Sequence, residues 1–338
     1  MNILVLGGTR FLGRHLVSDA LTRGYQVTLF NRGQSNPGLF PEVEKLRGDR
    51  AGDLGALKGR QWDAMIDTCG YVSREVRVTA ALLAGSVEHY TFISSISVYA
   101  GFSHSGLDES AKLALLPHGT NEDAGDPATY GARKALCEES VEQIMPNRVL
   151  HIRPGLIIGP FDPTNRFNYW VRRVARGGEV LAPEHPDKPM QLIDARDLAR
   201  WIITMIEAKQ TGRFNATGPE RPLTFGQMLD ACKSASASDA RFTWVDAQFL
   251  LNRGVAPFAN LPLWLPESEK EYAGHFCIDS RRAFQSGLVC RPLVETVSDI
   301  LLPDREHTPE NTSVTSPPSG LTPGRERELL LAWMEKLK

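Results

Sequence analysis

The sequence predicts an α/β protein, with a doubly wound parallel sheet in its first half and a smaller, loop-rich region behind it. Two observations carry this. Short apolar runs alternate with helical segments from Asn2 to Arg153, a rhythm that puts helices on both faces of a parallel sheet. The first run, Asn2-Ile3-Leu4-Val5-Leu6, breaks directly into Gly7 and Gly8 ahead of a helical pattern, as a strand–turn–helix does. Beyond Arg153 the rhythm loosens, punctuated by Pro154, Pro160, Pro163, Pro183, Pro186 and Pro189.

The strand expectations, in order, are residues 2–6, 26–30, 43–47, 64–67, 89–94 and 148–153. Each is short and apolar, and each is separated from the next by a helical segment or a loop. Gly24 stands where the first helix ends, just before the second strand. Helices are expected over 73–84 and around Tyr130. Past the sixth strand they are expected over 166–176, 197–208, 224–234 and 246–252. The 197–208 helix is apolar along one side and reads as a return to the main sheet. Residues 307–320, rich in Pro, Ser and Thr, read as a flexible connector. Thr322-Pro323 then opens a last helix, with an N-cap and an N1 proline, running to about Leu337. The division drawn is residues 1–160 plus about 190–217 for dinucleotide binding, with 161–189 and 218–338 as substrate region.

Composition narrows the class. With 42% hydrophobic and 23% charged residues, the chain reads as an ordinary globular enzyme. A net charge of −2 gives no general attraction to nucleic acid or an anionic membrane, so neither is expected as a partner. Cys69, Cys137, Cys232, Cys277 and Cys290 are odd in number and scattered, which reads as free thiols in a reducing compartment. No cationic region precedes Asn2–Leu6 and no apolar stretch is long enough to span a bilayer, so the expected location is cytoplasmic. The histidines form no ligand pattern and no metal site is expected.

The chemistry is carried by two signals about 120 residues apart. Gly7-Gly8-Thr9-Arg10-Phe11-Leu12-Gly13 supplies a tight turn whose backbone N–H groups face an anion at a helix N-terminus. Downstream, Ser94-Ser95-Ile96-Ser97-Val98-Tyr99 is followed by Tyr130-Gly131-Ala132-Arg133-Lys134. Tyr130 and Lys134 share one helical face, where an ammonium would lower a phenol pKa from about 10. At the end of the second strand Asn31-Arg32 stands where an acidic residue would repel a 2′-phosphate. Arg32, with Arg10 nearby, favours NADP(H) ahead of NAD(H).

In this order the signals resemble the extended short-chain dehydrogenase/reductase superfamily, the NAD-dependent epimerase/dehydratase group, over residues 1–210. The resemblance implies a Rossmann-type doubly wound parallel sheet with a smaller, loop-rich C-terminal substrate domain. Ser95, Tyr130 and Lys134 take the catalytic positions, Lys134 also holding the nicotinamide ribose. Gly7, Thr9, Arg10, Phe11, Leu12 and Gly13 take the pyrophosphate turn. Asp49-Arg50 matches an adenine contact, Thr68-Cys69-Gly70 the turn past the fourth strand, and Pro154-Gly155 the nicotinamide carboxamide contact. A homodimer through the 73–84 helix and the Tyr130 helix is implied as well.

Departures shape the reading. Arg10 replaces the middle glycine of the turn. The acid pair that 4,6-dehydratases place after the catalytic Ser/Thr is Ile96-Ser97 here. The arginine that holds a sugar-nucleotide diphosphate is replaced by Met190, leaving Arg166, Arg172, Arg173 and Arg176 as substitutes, with Arg172 and Arg176 on one helical face. Phe161, Phe167, Tyr169 and Trp170 in the same region read as core before pocket. The resulting expectation is an NADP(H)-dependent carbonyl reductase or alcohol dehydrogenase acting on a small carbonyl or sugar-like substrate. The alternatives are a sugar-nucleotide epimerase and an RNA-binding protein on the same scaffold. The second arises because the glycine turn is also similar to that of chloroplast stem-loop RNA-binding proteins.

Overall fold

The computed structural model describes residues 1–221, 223–302 and 320–338. The expected connector at 307–320 lies, up to residue 319, outside them. Its first half is a parallel sheet of β1 (Asn2–Leu6), β2 (Gln26–Asn31), β3 (Glu44–Arg47), β4 (Trp62–Asp67), β5 (Val87–Ile93) and β6 (Val149–Pro154). Between them run α1 (Phe11–Thr22), α2 (Ser73–Leu83) and α3 (Tyr130–Ile144). All six expected strands form, β1 with the expected bounds and the others with ends shifted by at most two residues.

The two faces of the sheet follow from alternation along each strand. In β1, Ile3 and Val5 join the core that includes Leu16 and Val17 of α1, whereas Leu4 and Leu6 join the opposite core with Val76 of α2 and Val141 of α3. Both faces are covered, so β1 is buried from Ile3 to Leu6 and has no polar side.

Past β6 come β7 (Leu156–Ile158), α4 (Arg166–Ala175), β8 (Glu179–Pro183), β9 (Pro189–Met190) and β10 (Leu192–Asp194). The chain then returns to the main sheet through α5 (Ala195–Glu207) and β11 (Gly212–Ala216). β11 lies parallel to β6, with Phe214 opposite Ile152, and α5 packs beside α1. Helix α5 begins before the expected residue 197 because the Asp194 carboxylate accepts from Arg196 N and caps it. The order in the sheet is β3-β2-β1-β4-β5-β6-β11. The chain leaves β1 toward β2 in one direction and resumes at β4 in the other, so a crevice opens beyond the carboxyl ends of β1 and β4.

The remaining elements are β12 (Leu223–Thr224), α6 (Phe225–Ser236), β13 (Arg241–Val245), α7 (Ala247–Asn252), α8 (Arg281–Gln285), α9 (Leu293–Leu301) and α10 (Pro323–Lys336). With α4 and β8 most of them enclose a second core around Trp170, Phe225, Leu250 and Trp264. Phe167, Tyr169 and Trp170 belong to it, as expected for core aromatics. The caps follow the sequence: Thr224 and Gln227 form a reciprocal capping box on α6, and the Thr322 hydroxyl accepts from Arg325 N at the start of α10. Three strand pairs were not anticipated: β7 with β10, β8 with β13, and β9 with β12. Nor were α8 and α9. Among the described residues no helix is long and apolar enough to cross a membrane.

Candidate active site

A cleft of about 1040 Å³ runs from the ends of β1–β3 to the start of α3. Its size sits at the top of the ~300–1,000 Å³ range of small-molecule sites. At one end the glycine turn folds against its neighbours with no room for side chains. A Cβ on Gly7 would lie 2.5 Å from Thr68 Oγ1, and one on Gly13 would lie 2.9 Å from Gly8 Cα. Gly7 and Gly8 both have positive φ, at 94° and 83°. Gly8, given no role from sequence, is therefore as constrained as Gly7. Helix α1 begins at Phe11 with no side-chain cap and no acidic residue in its first turn, so its terminal N–H groups face the cleft uncompensated. Thr9, Arg10, Phe11 and Leu12 line the wall, and this backbone cradle fits a pyrophosphate. Arg10 stands at the N-cap position of α1, so the missing middle glycine leaves the turn intact.

Three of the expected contact residues also make bonds inside the protein. The Asn31 amide donates to Gly7 O at 2.9 Å, and its Oδ1 accepts from Gly33 N at 2.9 Å. It thus braces the turn while lining the cleft. Arg50 is buried and its guanidinium pairs with Asp67 at 2.8 Å. Asp67 is fully buried and also accepts from the Tyr90 hydroxyl at 2.8 Å. The Arg50 charge holds the Asp67 carboxyl below the usual carboxylate range against the opposing effect of burial. Arg50 Nε and Nη2 are buried without a hydrogen-bond partner, and the residue also lines the cleft. Gly70 lies behind the wall, where a Cβ would strike the Phe92 ring at 2.5 Å, and its carbonyl accepts from Lys134. Asp49, Thr68, Cys69, Pro154 and Gly155 line the cleft as expected, and Arg32 lies 3.9 Å from the Asp49 carboxylate. Burial pushes the Cys69 thiol up to about 11, so it is not a ready nucleophile.

At the other end Ser95, Tyr130 and Lys134 converge. Ser95 starts a turn after β5, its hydroxyl accepting from Ser97 N at 3.1 Å. Gly131 permits α3 to press on that turn, since a Cβ there would lie 1.9 Å from Ser97 O. This close approach brings Tyr130 beside Ser95. The helix is held in register by Glu138, which accepts from Arg153 Nε and Nη2 of β6 at 2.9 and 2.7 Å inside the core.

The electrostatics differ from the expectation in one respect. Burial raises the Tyr130 phenol above its usual value, and Ser95, then Arg133 and Arg166, pull it back. Lys134 is not among these influences. Its ammonium donates to Ile93 O at 2.6 Å and Gly70 O at 2.8 Å, and it sits 4.0 Å from the Phe92 ring centre. Burial drops Lys134 from 10.5 to about 8. Tyr71, which no motif marked, also lines the cleft and is half exposed.

The expected basic face of α4 divides. Arg166 enters the cleft near Tyr130. Arg172 and Arg176 lie on the outside, and Arg173 pairs with Glu326 at 2.5 Å. A clamp of Arg172 and Arg176 on a ligand in this cleft is therefore not formed. Met190 is buried in the second core. Phe258 and His275, far along the chain, also line the cleft. Among the described residues no cluster of His, Cys, Asp or Glu suits a metal ion.

The chloroplast stem-loop binding protein of 41 kDa b from Arabidopsis thaliana is 30% identical over 251 residues, covering 69% of this chain and 62% of that protein. The photosystem II assembly factor Ycf39 of Trieres chinensis is 30% identical over 123 residues, covering 29% of this chain and 35% of that one. Both matches thus span less than two thirds of these relatives' length. Among solved structures, UDP-N-acetylglucosamine 4-epimerase from Bacillus cereus superposes with a TM-score of 0.63 at 17% identity, covering 89% of this chain and 98% of the enzyme. A human epimerase family protein solved with NADPH gives 0.59 at 17% identity, covering 89% and 99%. At such identities the likeness is one of fold. Residues 3–216 match the NAD dependent epimerase/dehydratase family, and with the cradle and fold described, the chain belongs to that family of NAD(P)-dependent enzymes.

Proposed function

We propose that the protein is an NADP(H)-dependent oxidoreductase that interconverts a carbonyl and an alcohol on a small molecule. The observation that carries this is the meeting of Ser95, Tyr130 and Lys134 at the end of the cleft away from the glycine turn. The nicotinamide supplies or accepts a hydride when bound. Gly7, Gly13 and the residues between them would hold the pyrophosphate, with Asp49 and Arg50 toward the adenine. Cys69, Pro154 and Gly155 would lie along the nicotinamide half. Arg10 and Arg32 favour a 2′-phosphate, with no acid at the end of β2 to oppose it.

Tyr130 is the proton donor. Its raised pKa keeps the phenol protonated at neutral pH, the form that reduction requires. The Tyr130 hydroxyl gives its proton to the substrate oxygen while Ser95 holds that oxygen. Lys134 lines the same end of the cleft, where its ammonium would position the ribose.

A second reading, a sugar-nucleotide epimerase, is favoured by the epimerase structures that share the fold. It uses the same three residues and differs in keeping the cofactor through the cycle. The stem-loop-binding relative raises RNA as a ligand, but a net charge of −2 offers no support for it. A homodimer through α2 and α3 remains part of the proposal, and Val78 of α2 is exposed.

The test is Tyr130→Phe, which removes one hydroxyl and leaves the ring. With NADPH and activated ketones or aldehydes, turnover is expected to fall by about 10²–10⁴. Cofactor affinity should stay unchanged. Near wild-type turnover in this variant would show that Tyr130 is not the acid.

A further inference from the structure

We infer that the substrate carries an oxyanion group, a carboxylate or a phosphate ester, and that Arg166 is the residue that binds it. The inference rests on the oxidoreductase reading for what reacts, but the anion site stands on its own geometry.

Arg166 opens α4 and lines the cleft within the field of the Tyr130 hydroxyl. Burial lowers its pKa from 12.5, so the surroundings disfavour its charge. Asp162 opposes this through its charge, and its carboxylate accepts from Thr164 N and Thr164 Oγ1, each at 2.8 Å. Arg166 itself donates through Nε to Thr164 Oγ1 at 3.1 Å. A guanidinium has five N–H donors in a planar fork, and among the described residues no carboxylate pairs with that of Arg166, which lines the cleft. A partly desolvated cation costs free energy unless an anion joins it. Here that anion arrives with the ligand.

The neighbours of Arg166 describe the rest of the ligand. Its guanidinium carbon is 5.9 Å from the Phe258 ring centre. His275 packs against Phe258, with ring centres 6.4 Å apart, and against Phe102 at 4.8 Å. Burial, and then the Arg166 charge, bring the His275 imidazole down to about 4, so at neutral pH it is an uncharged aromatic surface. Ser95, Ser97 and Tyr130 supply hydroxyls on the other side. A compact molecule with one anionic group, a short apolar body and a carbonyl satisfies all three surfaces.

Calorimetry on the full chain with NADP⁺ present tests this without requiring turnover. The probes are two matched pairs: pyruvate with methyl pyruvate, and dihydroxyacetone phosphate with dihydroxyacetone. At least one anion is expected to bind more tightly than its neutral partner by about 10- to 100-fold, the range of a hydrogen bond to a charged group. The pair that shows the larger ratio separates carboxylate from phosphate. Arg166→Gln should erase the preference, and Arg166→Lys should restore part of it. Equal binding of anion and neutral partner, no binding by either anion at millimolar concentration, or a preference that survives in Arg166→Gln would each overturn the inference. Tyr130→Phe should keep the anion preference intact. Loss of turnover there with retained anion binding supports both ideas, whereas turnover that survives alongside an Arg166-dependent preference removes the oxidoreductase reading and leaves the anion site.

Discussion

The two walls of the cleft are built on different principles. On the dinucleotide side most contact residues stand at or just beyond the end of a strand in one sheet. Gly7 follows β1, Asn31 ends β2, Asp49 follows β3, Thr68 follows β4, Ser95 follows β5, and Pro154 ends β6. The parallel register puts these ends in a row, so spacing along the chain becomes spacing in the cleft. On the opposite side Arg166 comes from the start of α4, while Phe258 and His275 come from irregular segments near 255–278. Nothing in their local sequence orders them. They are placed by the packing of the second core.

The largest effect that tests this contrast is in stability. Trp170 is fully buried at the centre of the second core, with its indole N–H donating to Pro262 O at 2.6 Å and its ring 5.2 Å from that of Phe225. Trp170→Ala should cost about 3–5 kcal/mol, from lost burial plus the cavity left behind. Chemical denaturation measures this. If the walls are as separate as their construction suggests, the variant keeps its affinity for NADPH below the unfolding transition. A parallel collapse of cofactor binding would show that the second core also holds the glycine turn in place.

That separation also explains how much the sequence discloses. Strands β1 to β6 were readable because each is a short apolar run between helices, and the site residues follow at their ends. Tyr130 and Lys134 were readable as a four-residue step on one helix. The caps at Thr224 and Thr322 were readable because the signal is local. By contrast β8 and β13 pair across some sixty residues, with Arg241 opposite Glu179, and neither has a period long enough to declare itself. His275 had no motif, and its role emerges only when Phe102, Phe258 and Phe276 close around it. Gly131 could have been found: a glycine directly after the tyrosine, at the start of a helix, points to a close backbone approach. The direction of the Tyr130 shift was not readable, because burial, set by the tertiary fold, is the largest influence on both Tyr130 and Lys134.

The next effect lies in pH dependence. Folding lowers Lys134 from 10.5 to about 8, so between these values the unfolded chain binds the extra proton. Stability therefore rises with pH across this window, and the cost of burying the ammonium is fully present below about pH 8. The depression corresponds to roughly 3 kcal/mol at the one-unit rate of 1.36, an order-of-magnitude figure. Lys134→Met removes the titrating group. The difference in unfolding free energy between wild type and this variant should shift in favour of wild type as pH rises from 8 to 10.5. A difference that is flat across the window would mean that the carbonyls of Ile93 and Gly70 compensate the buried charge completely. A pH-independent offset between the two proteins is expected in addition, because the variant leaves those carbonyls unpaired.

The smallest effect concerns the choice of cofactor, at the outer edge of the first wall. An arginine gripping a phosphate in a dry site would be worth about 1.5–3 kcal/mol. Arg32 is not in a dry site: its side chain is 61% exposed, and Asp49 stands 3.9 Å from it. Solvent screening wins, and an exposed pair of this kind contributes up to about 1 kcal/mol. Arg32→Ala is thus expected to weaken NADPH binding by roughly fivefold and leave NADH almost unchanged. Asp49→Asn removes the competing carboxylate and should strengthen NADPH by a smaller factor. Both effects should shrink as salt is added, since the charges face water within a Debye length of about 10 Å at 0.1 M. Fluorescence titration of both cofactors at low and high salt measures all of this. Tighter binding of NADH than NADPH by the wild type would reverse the assignment of Arg32 and Arg10, and would make the Asn31-Arg32 pair a brace for the turn with no part in discrimination.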